Sequence, residues 1–317
     1  DDLRQIQWAN RKANTLLGID GAADRGQRVD NLLRDPAVQR LFQDEDPNAE
    51  TQTRSPIDER ISLTLRLSRY GEGTLLVAQD VSAIVAAQEM RQTFVANASH
   101  ELRTPLTVVA GHLELLVDEP DLDPTVEKSL KSAHREANRM LAIVEDLLVL
   151  TSLENTQLSD DQCAQIAVAE EIKELVEATR HAANYEGQGL HLDLDANLRL
   201  HGRSTEVMSV VRNFLNNALR YTDPTGEITL HWARDAAGHP TFSVTDNGSG
   251  IAEEHLAHLT ERFYRVDTGR SRDAGGTGLG LSIVKHILGR HGGDLLIDSS
   301  LGSGSTFTAR FPSERAR

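Results

Sequence analysis

Phe94-Val-Ala-Asn-Ala-Ser-His-Glu-Leu-Arg-Thr-Pro-Leu-Thr107 sets a histidine on a helix that has one apolar stripe. Val95, Ala98, Leu102, Leu106, Val109, Leu113 and Leu116 recur at three- and four-residue spacings, the period of an amphipathic α-helix. His100 falls between stripe positions, so its imidazole is expected to face solvent. Arg103 and Thr104 follow it by three and four residues, which puts both on its side of the helix. Pro105 has no N–H for the Glu101 carbonyl, so a bend is expected beside the histidine. An exposed imidazole, the adjoining Glu101 carboxylate, the Arg103 guanidinium and the Thr104 hydroxyl make a candidate reaction centre. A lone helical histidine is usually solvated or capping, and the chain has 12 histidines, so the surrounding string has to carry the argument.

Working outward, Asp80 can cap a helix that begins around Val81 and runs to about Asp118. Glu119-Pro-Asp-Leu-Asp-Pro124 breaks it, with Asp123 as the next N-cap and Pro124 at the first helical position. In the second helix Val126, Leu130, Ala133, Ala137, Met140, Val144, Leu147 and Thr151 alternate spacings of four and three, a heptad seam. Two long antiparallel helices cannot bury both stripes alone. Residues 81–155 are therefore expected to pair with a second copy as a four-helix bundle. The alternative is a monomeric hairpin packed against its neighbours.

Residues 1–80 read as a small α/β module. Ile6-Gln-Trp-Ala-Asn10 is expected as a strand, followed by a helix ending at Leu16-Leu17-Gly18. Ile61-Ser-Leu-Thr-Leu-Arg-Leu67 alternates strictly, and the turn Tyr70-Gly-Glu-Gly73 leads into Thr74-Leu-Leu-Val-Ala78 as a hairpin. This order resembles a PAS domain. With no histidine before His100 and the one cysteine at Cys163, haem or a flavin adduct is not expected there, and a dimerisation and relay role is favoured over ligand sensing.

Leu153 to Asp161 reads as a polar linker, and residues 156–317 then turn to mixed α/β. A strand near Ile166, a helix over about 169–186 and strands at Leu190–Leu194 and Leu198–Leu200 come first. A helix over about 204–221, a hairpin of Ile228–Trp232 with Thr241–Thr245, a helix over about 278–290 and two closing strands complete a sandwich. Four clusters in it carry chemistry. Asn213 and Asn217 share a helix face at i,i+4, ahead of Arg220 and Tyr221. Asp246-Asn-Gly248-Ser-Gly250 follows a strand, and Glu261-Arg-Phe-Tyr-Arg265 is an aromatic–basic island. Gly275-Gly276-Thr277-Gly278-Leu279-Gly280 opens a helix, where backbone N–H groups suit phosphate. It has neither the Rossmann spacing nor a following Gly-Lys-Ser/Thr.

Composition limits the alternatives. The chain has 317 residues, enough for two or three domains, with 39% hydrophobic residues for cores and only 4% aromatics. A net charge of −15 argues against nucleic acid. One cysteine excludes an internal disulfide and fits a reducing compartment. No run of about 18 apolar residues is present, and no signal peptide is visible. The opening Asp1-Asp2, without methionine, suggests a trimmed N-terminus.

Ser99-His-Glu-Leu-Arg-Thr-Pro-Leu-Thr107 resembles the H-box of sensor histidine kinases, and the longer run is most similar to their phosphate-regulon sensor branch. The four later clusters, with Gly302-Ser-Gly-Ser305-Thr306-Phe, resemble in order the N, G1, F, G2 and G3 boxes of that family's ATP-binding domain, the Bergerat fold of gyrase-type and Hsp90-type ATPases. The resemblance implies autophosphorylation of His100 from ATP, transfer to an aspartate of a response regulator, and control of phosphate uptake. Glu101 would assist the imidazole, and the Glu101-Leu-Arg103-Thr104 run implies phosphatase activity on the regulator. It further implies that Asp246 takes the adenine amino group, that Asn217 ligates Mg²⁺ with Asn213 in support, and that Arg220 and Tyr221 cover the nucleotide. Gly248, Gly250, Arg265, Ser305 and the Gly276, Thr277, Gly278, Leu279, Gly280 loop would line the site, with about 252–274 as a lid. Membrane helices would lie upstream. Hydrolysing relatives carry a glutamate where this chain has Asn213, and an amide is a poor general base. That argues against a conformational ATPase, and the filled N, G1 and G2 positions argue against a mere regulator-binding scaffold.

Overall fold

The computed structural model describes residues 1, 3–43, 49–70, 73–117, 119, 122–155, 158–182, 185–266 and 276–316. The chain divides into two compact units, Asp1–Phe94 and Val95–Arg317.

The first unit holds helices α1 (Arg11–Leu17), α2 (Val29–Leu32) and α3 (Pro36–Leu41). Strands β1 (Glu50–Arg54), β2 (Ser62–Tyr70) and β3 (Gly73–Asp80) form an antiparallel sheet in the order β1-β2-β3. The Asn10 side chain accepts from the Ala13 N–H to start α1, and Gly18 ends it at φ 73°, the left-handed conformation that glycine adopts without penalty. The alternation of β2 buries Leu63 and Leu65 completely. The β2–β3 hairpin pairs Tyr70 with Gly73 as expected, and its turn residues 71–72 lie outside the described residues. The expected strand at Ile6–Asn10 does not form. Among the described residues it makes an isolated bridge of Gln5 to Arg28, and although Ile6 is buried with Ala9 packed beside it, Trp8 is 72% exposed, so the alternation that would bury a full strand face is not realised.

Helix α4 (Ser82–Val117) starts where Asp80 Oδ1 accepts the Ser82 N–H at 2.9 Å. It stays helical through Pro105, so the expected bend does not interrupt it. Helix α5 (Pro124–Asn155) starts with Asp123 Oδ1 accepting the Thr125 N–H at 2.9 Å. Of the expected breaker, residues 120–121 lie outside the described set. Within one chain the two stripes are only partly covered. Ala110, Ala137 and Val144 are buried, while Leu102, Val109, Leu116, Val126 and Met140 are exposed. Leu147, expected in the seam, packs instead with Ile143, Leu150 and Leu153 against the core of the C-terminal sandwich. The expected linker therefore begins later, because α5 continues to Asn155 with Leu153 buried. Residues 156–157 lie outside the described residues.

The sandwich contains β4 (Ala164–Ile166), α6 (Val168–Arg180), β5 (Gly189–Leu194), β6 (Leu200–Gly202), α7 (Ser204–Tyr221), β7 (Glu227–Arg234) and β8 (Pro240–Asp246). It closes with α8 (Glu253–Leu256), α9 (Gly280–Arg290), β9 (Asp294–Ser300) and β10 (Gly304–Arg310). Five strands form a sheet of order β5-β7-β8-β10-β9, parallel only between β5 and β7, while β4 pairs with β6. Expected boundaries move slightly: α6 stops at Arg180, β6 is shifted to Leu200–Gly202, and α9 begins at Gly280. One face of the sheet carries Ile228, Leu230, Trp232, Phe242, Val244, Phe307 and Ala309 into a core shared with the helices. Phe214 of α7 stacks on Phe242 with centroids 6.0 Å apart and lies 5.7 Å from Phe307. This packing fixes α7, whose opposite face carries Asn213, Asn217 and Arg220.

Beneath that face, Glu206 is buried between Arg290 at 3.2 Å and Arg203 at 3.5 Å, tying the start of α7 to the end of α9. Burial pushes the Glu206 carboxyl up, and the two guanidiniums oppose that shift. His291 is wholly buried beside it, its Nδ1–H donating to the Ile287 carbonyl at 2.8 Å. Burial pushes its pKa down to about 4, so near neutral pH the ring packs uncharged.

Candidate active site

The end of α7, the end of β8, the loop before α9 and the start of β10 meet at one edge of the sandwich. Asp246 closes β8, is 6% exposed, and accepts the Gly248 N–H at 2.9 Å and the Ser305 N–H. Burial pushes its carboxyl up, and the two N–H donors counter that. Such a carboxylate can still accept from a ligand donor, while water is largely kept away from it.

The glycines at this edge divide by what they approach. A Cβ on Gly248 would overlap the Tyr221 carbonyl, one on Gly250 the Ser300 carbonyl, and one on Gly304 the Asp246 carbonyl. Those three are required by backbone packing, whether or not a ligand is present. Gly276 and Gly280 differ, because a Cβ there would overlap Arg220 Nη1 and Asn213 Oδ1. The loop thus lies directly against the polar face of α7. Asn213 donates its amide N–H to the Ser209 carbonyl at 2.8 Å and turns its oxygen towards Gly280. Asn217 sits one turn on, half-buried, and Tyr221 is 45% exposed. Arg265 Nη1 donates to the Gly276 carbonyl at 2.9 Å, and Phe263, at φ 64°, donates its N–H to the Gly278 carbonyl at 2.9 Å. Ser305 is buried, with its hydroxyl 2.8 Å from that of Ser299.

The edge therefore brings together Asn213, Arg220, Tyr221, Asp246, Gly248, Gly276, Gly280 and Ser305, with Arg265 bracing the loop. Of the expected lid, 252–266 holds α8 and a turn, while 267–274, and Gly275 of the loop, lie outside the described residues. The donor set fits a magnesium nucleotide. Amide oxygens are hard ligands of the kind that ion takes, and Asn213 Oδ1 already faces a loop whose N–H groups lie at a helix start.

His100, Glu101, Arg103 and Thr104 form a separate group on α4. His100, Glu101 and Thr104 are exposed and Arg103 is half-buried. Exposure of the ring matches the stripe argument. Sequence reasoning missed the acidic residues of α5 that touch the sandwich. Thr277 Oγ1 donates to Asp146 Oδ2 at 2.7 Å, and Glu154 pairs with Arg262 and lies 3.3 Å from His286 Nε2. Their partners are more than a hundred residues away, so no local pattern marks them.

Comparison with known proteins covers both segments. A family model described as the His Kinase A phospho-acceptor domain matches residues 90–156. One described as the histidine kinase-, DNA gyrase B- and HSP90-like ATPase matches 202–315. The phosphate regulon sensor protein PhoR of Pseudomonas aeruginosa is 41% identical over 310 residues, spanning 96% of this chain and 69% of that protein. PhoR of Haemophilus influenzae is 34% identical over 238 residues, 75% of this chain and 55% of that protein. The crystal structure of full-length ShkA in complex with AMPPNP aligns with a TM-score of 0.55 at 25% identity, over 69% of this chain and 45% of that one. A phospho-acceptor hairpin followed by a gyrase- and HSP90-like nucleotide fold defines a histidine kinase. The chain belongs to that family, in its phosphate regulon sensor (PhoR) type. It is an ATP-dependent histidine kinase whose C-terminal domain binds ATP.

Proposed function

We propose that His100 is the phosphorylated residue, and that the group passes from it to an aspartate on a response regulator. The supporting observation is its place: an exposed imidazole beside Glu101 inside the matched phospho-acceptor segment. In that segment His134 is instead bonded to Asn138 at 3.0 Å. The neutral ring attacks the γ-phosphorus in line, forming an N–P bond as the bond to ADP breaks. Glu101 takes or holds the proton of the other ring nitrogen, which keeps the attacking nitrogen basic. The regulator's carboxylate then displaces the imidazole.

On the nucleotide side, Asp246 accepts from the adenine amino group, and Arg220 and Tyr221 cover the nucleotide. Gly248, Gly250, Gly276, Thr277, Gly278, Leu279, Gly280, Arg265 and Ser305 shape the pocket. Asn217, supported by Asn213, would hold Mg²⁺, which offsets negative charge on the transferring phosphates when bound. Water is a poor competitor for the phosphoryl group, since Asn213 uses its amide as a donor to Ser209 and supplies no base. An acid-labile, base-stable label from γ-labelled ATP marks a phosphoramidate; an acid-stable label sinks the assignment.

Thr104, one turn from His100 and exposed, would orient water against the regulator's phosphoaspartate. Thr104→Ala is expected to spare autophosphorylation and slow dephosphorylation of the regulator by at least about tenfold. Equal loss of both activities removes the role. The apolar residues left exposed on α4 and α5 support a four-helix bundle of two chains. Sedimentation equilibrium at micromolar concentration should return the mass of two chains, and a single-chain mass would overturn the bundle. The likeness to phosphate regulon sensors supports a role in phosphate-responsive signalling and membrane segments upstream. Among the described residues no helix is long and apolar enough to cross a membrane. Residues 1–80 would act as a PAS-like relay, 81–155 as the phosphotransfer hairpin and 156–317 as the catalytic domain.

A further inference from the structure

The sandwich is fastened to α5 at several points, and one of them lies in the loop itself. Thr277 Oγ1 donates to Asp146 Oδ2 at 2.7 Å while accepting the Leu279 N–H at 3.2 Å. Further along α5, Glu154 pairs with Arg262, and the Leu153 carbonyl accepts from Arg290 Nη1 at 3.0 Å. Ile143, Leu147, Leu150 and Leu153 add an apolar contact to the same core. The polar points therefore decorate an interface that apolar burial already holds, and among the described residues the Asp146 point is made to the glycine-rich loop itself.

A hydroxyl carries one proton. While Thr277 gives its proton to Asp146, it has none for a phosphate oxygen. We propose that Asp146 is a latch on the nucleotide loop: its carboxylate holds the Thr277 hydroxyl when the sandwich rests on α5, so docking and phosphate binding compete for one group. This rests on the loop being the phosphate site. Coupling of this kind is reciprocal, so the factor by which docking lowers nucleotide affinity is the factor by which nucleotide lowers docking. Loading ATP thereby loosens the sandwich from α5, as a catalytic domain that must carry a phosphoryl group to α4 requires. Burial of Asp146 adds to the effect. Its carboxyl is pushed up by burial and relieved by the Thr277 hydrogen bond, so a sandwich that takes Thr277 away leaves a carboxylate that gains from water. Asp146 makes no contact with substrate in this scheme and acts only through Thr277, as a positioning residue.

The test is displacement of a fluorescent trinitrophenyl-ATP probe by ATP with Mg²⁺, on the full chain. Asp146→Ala should tighten ATP on the order of three- to tenfold, the worth of one lost competing hydrogen bond. Asp146→Asn keeps an accepting oxygen and should stay near the unaltered chain. In a Thr277→Val background the gain from Asp146→Ala should shrink to at most about twofold, as expected of a pair that acts through one bond. Unchanged or weaker affinity in Asp146→Ala, or a gain that persists undiminished in the Thr277→Val background, overturns the latch while leaving the phosphate loop intact. Failure of the unaltered chain to bind the probe overturns the loop assignment and the latch together.

Discussion

His100→Gln is expected to reduce labelling from γ-labelled ATP to background while leaving ATP affinity within about twofold. Glutamine keeps a polar side chain of similar reach, but its amide nitrogen has no available lone pair to attack phosphorus. His100 is exposed and lies on α4, so the change removes no core contact. Stability should move by no more than roughly 0.5 kcal/mol. The matched segment holds two other histidines, the exposed His112 and the half-buried His134. Peptide mapping of the labelled protein separates them. Label persisting at the original stoichiometry in His100→Gln would place the phosphoryl group elsewhere and sink the mechanism.

The parts of this scheme that could be read from the sequence are those written in local periodicity. Helix α7 was expected over about 204–221 and spans Ser204–Tyr221, because Val207, Val210, Val211, Phe214, Leu215 and Ala218 define a single buried face. The same face leaves Asn213 and Asn217 on the other side, so the candidate ligands followed from the helix itself. Strand β1 escaped notice because Glu50-Thr-Gln-Thr-Arg54 has no apolar residue to alternate. Its register is held from outside, by the ladder to β2 and by Arg66 on Glu50 at 2.9 Å. The converse failure is Ile6–Asn10, where an apolar pattern exists but Trp8 finds no core. Leu147 fits both a heptad seam and a sandwich contact, and sequence spacing cannot choose between partners. The glycines show a similar limit. Gly248 and Gly304 are needed for backbone approach to Tyr221 and Asp246, a demand that the motif alone cannot distinguish from ligand binding.

Asp246→Asn is expected to weaken ATP binding by roughly a hundred- to a thousandfold, the second large effect. The Asp246 carboxylate already accepts two backbone N–H groups, from Gly248 and Ser305. An asparagine there must aim its one oxygen at those donors, since turning it away would leave buried N–H groups unpaired. Its amide N–H then points where the adenine amino group would donate, and two donors face each other. The loss is therefore larger than that of one neutral hydrogen bond, for the same reason that sites built on a fixed acceptor reject ligands of the wrong polarity. Because Asp246 is held up by burial, removing its charge relieves a desolvation cost, and the folded protein should melt no lower than the unaltered chain. That sign matters for the test: weak binding with an unchanged or raised melting temperature isolates recognition from folding. An ATP affinity within about threefold of the original would show that the adenine is read elsewhere.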